Sequence, residues 1–134
     1  MYIKLIDRVM ELLLDGRFEV LETLKHQYEN SKIVEVEETG KGIFVRFEIN
    51  RDSYPINSKN KKDFNFGDVN GVVDGIVGAI GFILYVRNGY ISTLEGYSNV
   101  PGSWSNVNDD TQLIYMPEKR NLEALEKKWN NKEQ

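Results

Sequence analysis

The hydrophobic positions of the chain follow two rhythms in turn. Residues 2–14 place Ile3, Ile6, Val9, Met10, Leu13 and Leu14 at spacings of three and four, the stripe of an amphipathic helix. Asp15-Gly16 ends that stripe, with Gly16 as a helix-stopping glycine. A second stripe, Val20, Leu21, Leu24 and Tyr28, predicts a helix over residues 19–29. The short link between the two predicts a helical hairpin.

The period then drops to two. Residues 32–38 (KIVEVEE) read as a strand. Residues 43–49 alternate cleanly, with Ile43, Val45, Phe47 and Ile49 on one face and Phe44, Arg46 and Glu48 on the other. The intervening Thr39-Gly40-Lys41-Gly42 makes this a half-buried hairpin. Residues 50–63 are polar and predict a mobile loop. A short strand is expected at residues 66–69, followed by glycines at 71, 75, 78 and 81.

Residues 79–86 and 90–97 are two further strand-like runs around Asn88-Gly89. Asn-Gly between such runs predicts a two-residue turn, because that turn needs positive φ at both central residues. The pairing that follows sets Arg87 against Tyr90, Val86 against Ile91, Leu84 against Thr93, Phe82 against Glu95 and Gly81 against Gly96. Strand 79–86 is apolar on both faces, so it should be central and covered on both sides, at least in part. Glu95 then shares a face with Phe82 and Leu84, and Gly81 with Gly96 leaves a patch of sheet bare of side chains.

A second long loop covers residues 99–110, a last strand residues 111–116, and Pro117 opens a helix bearing Leu122, Leu125 and Trp129. The expected fold is α+β. An N-terminal helical pair packs on an antiparallel sheet of about five or six strands, and a C-terminal helix covers an edge or the other face.

Composition narrows the reading. The 134 residues suit a single domain over 1–134, and 40% apolar content is enough for one core. Without cysteine there is neither a disulfide framework nor a thiolate metal site, which suits a reducing compartment. No apolar run approaches the roughly 20 residues of a membrane span, and the first 16 residues lack a signal-peptide core. The expectation is a cytoplasmic protein that does not enter a membrane. Seventeen basic residues are dispersed under a net charge of −4, a poor footprint for nucleic acid. A basic protein partner suits that charge better.

Candidate chemistry is sparse. The glycine series lacks phosphate-loop spacing and leads into a strand. His26 is the sole histidine, and no spacing gathers carboxylates around it. Asp68, Asp74, Asp109 and Asp110 lack the spacing of a calcium loop. No catalytic residue, cofactor or metal is expected.

Glu95, placed among apolar neighbours, is the exception, since such carboxylates titrate high and gather at functional sites. Tyr85, Tyr90, Tyr97 and Trp104 cluster around the same hairpin and its following loop, and tyrosine and tryptophan are favoured at binding hot spots. Trp104 lies between serines after Pro101-Gly102 and has no periodic reason to be buried. Glu95, Tyr97, Trp104, Tyr85 and Tyr90 are therefore the candidate binding residues.

Three segments also carry a resemblance. ETGKGIFVRFEI (residues 38–49), FGDV (66–69) and GAIGFILYVRNGYISTLEGYS (78–98) together resemble a group of small bacterial proteins that have a helical pair before the first strand. The pattern implies no activity. Members of such groups often carry an acid and a Trp-Pro pair after the Leu-Glu-Gly-Tyr motif. Here Trp104 matches, but no acid precedes it and no proline follows. Small, acidic, cysteine-free α+β chains also look like immunity proteins of bacterial toxin systems. These observations favour a non-catalytic, immunity-like protein-binding module. The alternatives are a small-molecule binder or enzyme with a pocket near Glu95, and a self-associating structural domain.

Overall fold

The structure, a computed structural model, describes residues 2–52, 55, 56, 58–116 and 120–130. The order is α1 (Ile3–Leu13), α2 (Glu19–Glu29), β1 (Ser31–Glu38), β2 (Gly42–Ile49), β3 (Phe64–Val73), β4 (Ile76–Arg87), β5 (Tyr90–Ser98), β6 (Gln112–Tyr115) and α3 (Leu122–Asn130). The strands form one antiparallel sheet in the order β1-β2-β5-β4-β3-β6. This is the α+β architecture expected, with six strands. None of the described helices is long and apolar enough to cross a membrane. Pro117 lies outside the described residues.

The helices all lie against one face of the sheet. Ile43, Val45, Phe82, Leu84 and Leu94 point into it and are fully buried or nearly so, against Leu5, Val9, Leu13 and Leu24 of the helices. Trp129 of α3 closes the end of this core edge-on against Phe64.

Neither α1 nor α2 has an N-cap side chain of its own. Each borrows one. Asp109 accepts the Leu5 N–H of α1 at 3.0 Å, and Glu126 of α3 accepts the Val20 N–H of α2 at 2.9 Å. A carboxylate there satisfies an orphan donor and meets the positive end of the helix dipole. Asp109 is thus a distant cap, and Asp74 is bonded by the Asn106 amide at 3.0 and 3.1 Å.

The Asn88-Gly89 turn forms as expected, with φ of 54° and 80°. A second such turn, Asp74-Gly75 (φ 54° and 76°), joins β3 to β4 and makes β3 longer than the sequence suggested. The far end of the loop before β3 is tied down. Asn60 is buried with its amide on the Trp129 carbonyl, and Gly89 N–H donates to the Lys62 carbonyl at 2.8 Å.

The register of the central hairpin differs from expectation, and the difference matters. Arg87 pairs with Tyr90 and Val86 with Ile91, but Ser92 is then an extra residue. Beyond this bulge Tyr85 pairs with Thr93, Leu84 with Leu94, Ile83 with Glu95, Phe82 with Gly96 and Gly81 with Tyr97. The bulge is held from outside the sheet. Buried Gln27 of α2 accepts the Ile91 N–H at 2.9 Å and donates to the Gly89 carbonyl at 2.9 Å. One helix side chain therefore supplies the partner the ladder lost. A one-residue slip moves every later side chain to the opposite face.

Candidate functional site

The slip relocates the candidate residues. Glu95 is not among Phe82 and Leu84. It lies on the opposite face, half-buried, and accepts the Tyr85 hydroxyl at 2.9 Å. Burial, and then this acceptor, push the Tyr85 phenol up, so it stays a donor at neutral pH.

Gly81 and Gly96 also part company, and neither is bare. A Cβ at Gly81 would lie 2.4 Å from Tyr97 Oη, so the half-buried Tyr97 ring fills that place. A Cβ at Gly96 would lie 2.6 Å from Trp104 Cη2 and 3.0 Å from Phe82 Cε1, on the covered face. Trp104 is only 3% exposed and packs between Tyr2 and Phe82, at 6.1 Å from each ring. The glycine made room for the indole, so Trp104 belongs to the core and not to a surface loop. Tyr90 is also buried, beneath the Arg51 guanidinium 4.5 Å from its ring. Of the five candidates, Tyr85, Glu95 and Tyr97 share one face with part of each exposed, Tyr90 is buried beneath Arg51, and Trp104 lies on the covered side.

That face carries no helix among the described elements, so β4 is covered on one side only. Ile83 and Tyr85 are half-exposed, whereas their chain neighbours Phe82 and Leu84 are buried. Cross-strand pairing arranges its residues in rows. One row runs Glu37, Phe44, Glu95, Ile83 across β1, β2, β5 and β4. The next runs Glu35, Arg46, Thr93, Tyr85. Phe44 is 40% exposed between two carboxylates.

The charges divide unevenly. Arg46 pairs with Glu35, which holds the guanidinium firmly protonated. Arg87 stacks on Tyr85, 5.4 Å from the ring centre. Glu37 and Glu95 have no ion pair among the described residues. A hollow of about 340 Å³ is lined by Glu35, Glu37, Phe44, Arg46 and Thr93.

Phe44 and Glu37 were not picked out from the sequence. The signal was present: Phe44 is the one aromatic on the otherwise charged face of residues 43–49. The arrangement offers ring faces and carboxylates on an uncovered sheet, with the Tyr85 hydroxyl bonded to the Glu95 carboxylate. No family model, curated protein or solved structure matches the chain.

Proposed function

We propose that this chain is a non-catalytic protein-binding module of the bacterial immunity type, acting in the cytoplasm, and that it engages its partner with the uncovered face of its sheet. The observation that carries this reading is Phe44, 40% exposed near the start of β2 on a face that none of the described helices covers. An aromatic on a water-facing sheet contributes little to the fold, and aromatics are the anchors of protein interfaces. Six strands about 4.8 Å apart give a face about 24 Å wide, enough for one side of an ordinary interface of about 800 Å².

A small-molecule or enzymatic reading needs a cavity that contains Glu95. The hollow beside it is lined by Phe44 and Thr93 and does not include it. The test is affinity capture from a bacterial extract with the wild type and Phe44→Ala, then reconstitution from purified components. A stoichiometric complex lost in Phe44→Ala supports the reading. A wild type that forms no stoichiometric complex with any protein overturns it.

A further inference from the structure

We propose that the uncovered sheet face takes an extended, arginine-bearing segment of a protein partner, with a guanidinium seated on Phe44 between Glu37 and Glu95. This rests on the protein-binding reading and specifies the chemistry of the partner.

Geometry comes first. Glu37 and Glu95 stand directly opposite Phe44 on the two neighbouring strands. Directly opposed side chains have Cβ atoms about 5 Å apart, so Glu37 and Glu95 flank the ring on its two sides. The hollow beside Phe44 leaves room on the Glu37 side, and its one cation, Arg46, is already paired with Glu35. Tyr85 holds the Glu95 carboxylate in place through its hydroxyl.

The molecule's own habits point to the same occupant. Arginine already lies over an aromatic ring three times: Arg51 on Tyr90, Arg87 on Tyr85 and Arg120 on Tyr115. In the last pair the arginine also bonds a carboxylate, Asp68. Phe44 repeats that surrounding, a ring beside carboxylates, and no arginine of the described residues covers it. A planar guanidinium both stacks on a ring and forks to carboxylates, which a lysine ammonium does less well.

Charge excludes other occupants. A second copy laid face to face would set Glu37 and Glu95 against their own kind, between two chains of net charge −4. Nucleic acid carries the same sign as the row.

The test uses the whole protein, isotope-labelled, titrated with an acetylated, amidated nine-residue peptide alternating arginine and valine. Lysine-valine and glutamate-valine versions serve as comparisons. We expect saturable amide shifts centred on Glu37, Phe44, Thr93 and Glu95, with the lysine peptide about fivefold weaker. Phe44→Leu keeps the apolar bulk but not the ring face and should weaken binding about tenfold, as should the pair Glu37→Gln with Glu95→Gln. Phe44→Tyr should restore it. Urea midpoints of these variants check that the fold is unaltered.

Shifts that fall instead on the acidic groove of α1 and α2, around Asp7, Glu11, Asp15 and Glu29, overturn the proposal as general charge attraction. So does an arginine peptide that fails to bind, or one that binds Phe44→Leu as well as wild type. If a reconstituted protein partner is lost in Asp7→Asn with Glu11→Gln and kept in Phe44→Ala, this site fails while the protein-binding reading stands.

Discussion

The two faces of the sheet are built from the same strands, one residue apart, and their fates are opposite. Val45, Leu84 and Leu94 are fully buried under the helices, whereas their chain neighbours Phe44, Ile83 and Glu95 lie on the uncovered side. The covered face is defined by fit: Trp104 fills the place where Gly96 lacks a side chain. The uncovered face is defined by rows of rings and charges that pair with one another across the strands and are packed under no helix among the described residues. A residue's role is thus set less by its type than by which face the register gives it.

That contrast predicts a ladder of effects. The largest should come from Trp104→Ala. If the indole is core, this costs about 3–5 kcal/mol in urea unfolding. A loss below 1 kcal/mol would return Trp104 to the surface and erase the contrast. Next is Gln27→Met, which keeps bulk but leaves the Ile91 N–H and Gly89 carbonyl buried without partners. About 2–4 kcal/mol should be lost, with faster hydrogen exchange at Ile91. An unchanged exchange rate would mean that the bulge does not depend on Gln27.

A third test probes the seam where α3 meets β3. Arg120 bonds the buried Asp68 carboxylate at 2.5 Å. Burial pushes the Asp68 carboxyl up, and Arg120 pulls it partly back. A carboxyl raised in the folded state holds its proton more tightly than in the unfolded chain. Its charge therefore costs stability above the folded pKa, and that cost fades as pH falls towards the ordinary value of 3.8. Arg120→Ala enlarges the cost. It should lose about 1–3 kcal/mol at pH 7, with a deficit that narrows as pH is lowered towards 4. A deficit independent of pH would sever Asp68 from the effect.

The smallest effects belong to the uncovered face. Ile83→Ala and Glu95→Gln should each change stability by no more than about 0.5–1 kcal/mol. A larger loss would mean that this face also supports the fold, and the distinction between the two would collapse.

Much of the architecture is legible along the chain. Both N-terminal helices, the first hairpin and the Asn88-Gly89 turn follow from periodicity and turn chemistry, because those are local properties of adjacent residues. The second hairpin was also within reach. Asp74-Gly75 carries the same kind of turn signal, but the glycines around it at 71 and 78 interrupt the strand pattern on either side.

The candidate site was legible only as a composition. The aromatic and acidic residues of the central hairpin are evident, but the face each one occupies is not. Alternation assigns faces correctly up to the first bulge and inverts them after it. The bulge at Ser92 leaves no local mark, since the group that replaces the lost ladder partner is the side chain of Gln27, 64 positions from Ile91.

The sequence by itself determined the α+β class, the helical pair and the tight turn of the central hairpin. Tertiary structure alone decided that Glu95 leaves the core face and Trp104 enters it. It also decided that Asp109 and Glu126 cap helices more than 100 positions away. The physical reason is the same each time. Periodicity reports what a segment can bury, but an unsatisfied backbone group or an empty place over a glycine is filled by whatever the fold brings near.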